Sequence, residues 1–176
     1  GLQVLWVTPL KALAGDTTAA MQAAIDEMNL PWDLQGRTGD TKASLKARQM
    51  KRLPTAKVTT PESLTLMLTH ERLQPQLSEL KAVIVDEWHE LLGTKRGVQT
   101  ELALARLRRL SPDLQTWGVS ATLGNLDEAL ESLVGPANSE DAVIIHGKSK
   151  KKTKLYSILP PVIERFPWSG HIGTRM

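Results

Sequence analysis

The sequence has 176 residues, 41% of them hydrophobic, with 22 Lys and Arg against 19 Asp and Glu and no cysteine. That is enough chain for one domain with a real core and too little for two large ones. Disulfides and thiolate metal sites are excluded, no window approaches the roughly 18 consecutive apolar residues of a membrane span, and the N-terminus lacks a charged segment followed by an apolar one. The chain therefore reads as soluble, unexported and, by default, cytoplasmic. A basic excess of three says little about a polyanionic partner, whereas placement says more. Lys42, Lys46, Arg48, Lys51 and Arg52 form one cluster, Arg106, Arg108 and Arg109 a second, and Lys148, Lys150, Lys151, Lys152 and Lys154 a third. Solvated helix faces and a basic loop are the plain account of each.

Leu2 to Val7 is nearly all apolar and β-favouring, cut off by Thr8-Pro9, and predicts a buried strand. From Leu10 to Met28 apolar residues recur three and four apart, which predicts a helix. Asp33 to Arg37 reads as a short strand, Thr38-Gly39-Asp40-Thr41 as a turn and helix cap, and Lys42 to Leu53 as a second helix stopped by Pro54. Ala56 to Thr59 is another short strand. Pro61 suits a first helical turn with Thr60 as its cap, so Glu62 to Leu68 reads as a helix. Ala82 to Val85 is the clearest buried strand. Val98 to Leu110 is a periodic helix, Thr116 to Val119 a strand, Asn125 to Leu133 a helix and Ala142 to Ile145 a final strand. The prolines of Leu159-Pro160-Pro161 and Phe166-Pro167-Trp168 mark an extended linker. Strands alternating with helices indicate an α/β fold, a parallel sheet with helices on both faces, whose ligands bind at the carboxyl ends of the strands.

Four stretches could carry chemistry. Ala82-Val83-Ile84-Val85 delivers Asp86 and Glu87, two adjacent carboxylates, to a strand end, the form of a Walker B site. One carboxylate can hold magnesium through water while its neighbour orients and deprotonates the water attacking a γ-phosphate. A strand followed by a capped helix is the plain alternative. His89-Glu90 invites a zinc-protease reading, but the second histidine of His-Glu-x-x-His is replaced by Gly93. Gly147-Lys148-Ser149 imitates the end of a phosphate-binding loop, G-x-x-x-x-G-K-[ST], yet the first glycine is replaced by Ala142 and the intervening residues look like strand. Ser120-Ala121-Thr122 places two hydroxyls after the strand 116–119, about thirty residues beyond Asp86.

A D-E-x-H box followed by S-A-T resembles the superfamily-two helicases. Val7-Thr8-Pro9-Leu10-Lys11-Ala12-Leu13 looks like motif Ia of that family, Arg37-Thr38-Gly39-Asp40-Thr41 like the turn before motif Ib, and Thr59-Thr60-Pro61-Glu62-Ser63-Leu64 like motif Ib, in the family's order. The run from Asp86 to Gly93, with Lys95-Arg96-Gly97, is most similar to the large helicase-related group, especially bacterial ligase-associated DEXH-box helicases. Glu164 to His171 looks like that group's connector.

The resemblance implies a RecA-like first helicase domain over residues 1–146, truncated at its N-terminus and lacking the phosphate-binding loop, with residues 147–176 leading to a missing second RecA-like domain. It implies ATP and Mg2+ as cofactors in an intact ATP-dependent DNA helicase with 3′-to-5′ polarity, acting in DNA repair beside a ligase or nuclease. Position by position, Asp86 is the metal residue and Glu87 the water residue, while His89, Ser120 and Thr122 couple ATP state to nucleic-acid grip. Thr8, Pro9, Lys11, Thr38, Gly39, Asp40, Thr60, Pro61, Glu62, Ser63 and Arg96 line the DNA path, with amides and hydroxyls at helix starts contacting phosphates. The segment alone is expected to lack ATPase activity and, with sheet surface uncovered, to aggregate. The competing readings are a nucleic-acid-binding or scaffold module without a motor, and an unrelated α/β domain with structural carboxylates.

Overall fold

A computed structural model describes residues 1–121 and 123–147. Five parallel strands form one sheet in the order β2-β3-β1-β4-β5: β1 (Val4–Val7), β2 (Leu34–Arg37), β3 (Ala56–Thr59), β4 (Ala82–Val85) and β5 (Gln115–Gly118). The helices are α1 (Lys11–Glu27), α2 (Ala43–Lys51), α3 (Pro61–Leu68), α4 (Gln74–Leu77), α5 (Trp88–Leu91), α6 (Lys95–Leu110) and α7 (Leu126–Val134). A compact unit extends from Gly1 to Val143. The expected α/β, RecA-like arrangement is the one observed.

Period-two alternation sorts the strand residues between the two faces. Leu5, Val7, Val83 and Val85 join Leu64 and Met67 of α3 and Leu104 and Leu107 of α6 in one core. On the opposite face α1 packs along β2 and β3. The register is uniform, so Val7, Thr59 and Val85 lie side by side with Gly118 at the carboxyl edge. The residues that follow each strand are thereby gathered at one rim.

Lys57 is an exception to the apolar pattern. It is fully buried in β3, and its ammonium has no hydrogen-bond partner among the described residues. Burial, helped by the charge of Arg37 and opposed by Asp33, pushes its pKa down to about 7.

Three local expectations are corrected. Ala142 to Ile145 forms no strand, because an apolar run supplies propensity but not a neighbouring ladder, and none of these residues pairs with the sheet. Ala142 instead bonds back to the Ser139 carbonyl at 3.3 Å. The α2 cap position is Lys42, which makes no side-chain cap; Thr41 Oγ1 accepts the Thr38 amide at 2.9 Å and closes the turn itself. Thr60 does occupy the α3 cap position, but its side chain makes no cap bond.

Candidate functional site

Asp86 continues β4 by one residue, its amide bonded to the Val7 carbonyl at 2.8 Å. Its carboxylate is held at both oxygens: Oδ1 accepts the Glu87 amide at 3.0 Å, and Oδ2 accepts the Trp6 indole N–H at 3.2 Å. Each oxygen keeps a free lone pair, which suits a cation bound through water. Trp6 is a residue that sequence reasoning missed. The contact spans 80 residues of chain, and only the pairing of Trp6 beside Ile84 brings the indole to the end of β4.

Glu87 turns the chain out of the strand in the left-handed region, with φ 47° and ψ 46°. For a residue with a side chain this costs about 1–2 kcal/mol, and such outliers gather where function over-determines the backbone. The consequence is positional. The carbonyl of Glu87 accepts the Glu90 amide at 2.8 Å to start α5, while its carboxylate stays 41% exposed beside Asp86. Trp88 anchors this turn from below, since its amide bonds the Val119 carbonyl at 3.0 Å and its buried indole donates to the Ala129 carbonyl at 2.9 Å.

His89 reaches from α5 to the end of the next strand. Its Nδ1 accepts the Ala121 amide at 3.2 Å and lies 3.3 Å from Ser120 Oγ and 3.4 Å from Glu87 Oε2. An amide can only donate, so Nδ1 is an acceptor and the ring proton sits on Nε2, facing Glu90 Oε1 at 3.5 Å. Four of the five residues assigned to catalysis are thus contiguous: Asp86, Glu87, His89 and Ser120. The fifth, Thr122, lies outside the described residues, as do Lys148 and Ser149 of the imitation phosphate loop and the connector beyond them.

The residues expected along the nucleic-acid path differ in exposure, with Thr38 and Arg96 half-buried. Thr8, Pro9, Thr60, Pro61 and Ser63 are buried. Thr8 Oγ1 is spent on the Leu10 carbonyl at 3.2 Å and its amide on the Thr59 carbonyl at 2.9 Å. The exposed members are Lys11, Gly39, Asp40 and Glu62, and the charged ones are paired: Lys11 Nζ lies 2.8 Å from Asp40 Oδ1, and Arg96 Nε lies 2.6 Å from Glu62 Oε1. Partial burial works against the Glu62 charge, but hydrogen bonds from Arg96, its own backbone and Thr60 outweigh it, so its pKa is lowered. These turns present a rim of ion pairs instead of free cations. Cavities of about 300 and 380 Å³ lie elsewhere, with Gly1, Asp33, Arg52 and Thr55 around the first and Asp33, Gln35, Arg48 and Arg52 around the second.

A strand-end Asp-Glu pair, a histidine bridging to the next strand end and a RecA-like sheet together point to a domain of helicase type. Residues 1–129 match the DEAD/DEAH box helicase family, and the chain belongs to it. It is 36% identical over 169 residues to an ATP-dependent helicase Lhr-Core from Methanocaldococcus jannaschii, an alignment covering 90% of this chain and 20% of that protein. The structure of the Mycobacterium smegmatis helicase Lhr bound to single-stranded DNA and AMP-PNP is similar with a TM-score of 0.68 and 36% identity, covering 77% of this chain and 19% of that one. The DUF1998 helicase MrfA is similar with a TM-score of 0.66 and 28% identity, covering 76% and 22%. The chain spans about a fifth of the length of these relatives.

Proposed function

We propose that Asp86, Glu87, His89 and Ser120 are the metal- and water-positioning half of an ATPase site, in the first RecA-like domain of a DNA translocase with 3′-to-5′ polarity serving DNA repair. Residues 1–146 are that domain's part, and residues 147–176 lead toward a second RecA-like domain. The observation that carries the reading is the left-handed Glu87, which sets a second carboxylate beside the strand-end Asp86 and within reach of His89. Similarity to Lhr proteins named ATP-dependent helicases, one solved with single-stranded DNA and AMP-PNP, supports ATP and DNA as the ligands.

Magnesium, if bound, would supply positive charge against the phosphates. Asp86 would hold it through water with the lone pairs that Trp6 and the Glu87 amide leave free. Glu87 orients the attacking water and takes its proton, which its partly exposed carboxylate can accept. The imidazole of His89 accepts at Nδ1 from the Ala121 amide, so a shift at the end of β5 moves the ring that stands 3.4 Å from Glu87 Oε2. That link is the means by which occupancy of the site and the grip on the strand inform each other. No G-x-x-x-x-G-K-[ST] loop occurs among the 176 residues, so this segment alone does not turn over ATP.

The test is steady-state hydrolysis with and without a single-stranded oligonucleotide. The intact protein is expected to show DNA-stimulated turnover and the 176-residue segment none. Turnover by the segment alone, or an intact protein indifferent to DNA, contradicts the proposal.

A further inference from the structure

The nucleic-acid rim described above has a charge problem. Residues 148–176 contain seven of the 22 basic residues and one of the 19 acidic ones, which leaves fifteen against eighteen in residues 1–147, a net of −3. An acidic domain repels a phosphate backbone unless its cations are concentrated where the backbone lies. The two cations that the helicase motifs place on the path, Lys11 and Arg96, are already neutralised by Asp40 and Glu62. Arg37 and Lys57 are buried.

The larger remaining concentration is on α2 and the residues flanking it; the smaller cluster on α6, Arg106, Arg108 and Arg109, spends Arg108 on the Leu133 carbonyl at 3.1 Å. Residues 41–52 carry Lys42, Lys46, Arg48, Lys51 and Arg52 and no acid, so the rest of residues 1–147 nets −8 when five is taken from −3. Lys42, Arg48, Lys51 and Arg52 are exposed, and among the described residues none of them has a carboxylate within ion-pair distance. The helix is fixed in place. Buried Gln49 donates to Gln35 Oε1 at 3.1 Å and to the Gly36 carbonyl at 3.2 Å on the edge strand β2. Lys46 Nζ donates to the Gly39 carbonyl at 2.7 Å. The basic helix is therefore bolted to the Thr38-Gly39-Asp40 turn and continues from it along the flank of the sheet.

We infer that the exposed cations of α2 are a phosphate-binding flank that holds the backbone of the bound nucleic-acid strand next to the Thr38-Gly39-Asp40 turn. The inference rests on the nucleic-acid reading proposed above and specifies where its electrostatic component resides. The motif turns shape the path, and α2 supplies the net attraction that the ion-paired rim does not.

Binding of a fluorescent twenty-nucleotide oligothymidylate to the intact protein, measured between 50 and 200 mM NaCl, tests it. Replacing Lys42, Arg48, Lys51 and Arg52 by Gln keeps good helix formers on α2. This variant is expected to bind about tenfold or more weakly at low salt, with a log–log salt slope shallower by about two to three. An unchanged slope overturns the inference while leaving the nucleic-acid reading intact; absence of binding by the parent chain overturns both. A second measurement does not depend on how the variant folds. Oligothymidylate is expected to protect Lys42 and Lys51 of the parent chain from acetylation and to leave Lys81 and Lys95 reactive. Equal reactivity with and without the oligonucleotide, or protection by polyglutamate alone, overturns the inference, the latter by assigning the flank to an acidic protein segment.

Discussion

At the scale of single residues the site depends on which side chains have their polar atoms committed and which keep them free. Asp86 is oriented by two donors, Glu87 is thrust outward by its own backbone, and His89 has its tautomer set by the Ala121 amide. Lys57 is the opposite case, a buried ammonium held by nothing among the described residues. Its pKa near 7 in the folded chain lies below the ordinary value of 10.5, so between those values the unfolded chain binds more protons and stability rises with pH. Below pH 7 the cost of burying the charge is fully present. Lys57→Met is therefore expected to stabilise the fold by a few kcal/mol at pH 6, on the order of what such a shift implies, with the gain shrinking toward pH 10. Urea melts at the two pH values check this, and a pH-independent difference would contradict it. That Asp86, Glu87 and Ser120 stand at strand ends was legible in the sequence, because each follows a β-favouring run. The roles of Trp6 and Lys57 were not, since they exist only through neighbours on other strands. Thr8, Thr60 and Ser63 were expected to touch phosphates and are buried instead; a strand-end position is visible in sequence, but accessibility is not.

At the scale of elements, the strand over Ala56–Thr59 and that over Ala82–Val85 match their predicted bounds, because both are continuous buried runs stopped by polar or proline residues. The four-residue helices α4 and α5 were missed, being too short to show a period. Helix α6 begins three residues before its apolar pattern does, at a start fixed by Thr94, whose hydroxyl accepts the Gly97 amide at 3.1 Å. Gly97 itself lies against the Leu91 carbonyl so closely that a Cβ would overlap backbone. The Lys95-Arg96-Gly97 resemblance thus has a packing cause at its glycine. Thr94→Ala is expected to cost about 1 kcal/mol as a lost cap. Gly97→Ala should cost more, since α5 and α6 must move apart. Thermal melts of the two variants rank them, and an alanine at 97 tolerated as well as at 94 would show that the α5–α6 contact is slack.

At the scale of the whole molecule, the described sheet is unevenly covered. One face of β1 and β4 packs on α3 and α6, α1 packs on β2 and β3, and α7 on β5, yet Trp117 of β5 is 62% exposed and Val119 just beyond it 47%. Charge is uneven too, with an acidic domain carrying one basic flank, a polarity hidden by an overall net charge of +3. The central claim is chemical, and Glu87 tests it most directly, because glutamine keeps the size of the side chain and removes only the base. In the intact protein, Glu87→Gln is expected to lower the kcat of DNA-stimulated ATP hydrolysis by at least about a hundredfold while single-stranded DNA is still bound; undiminished turnover would contradict the assignment.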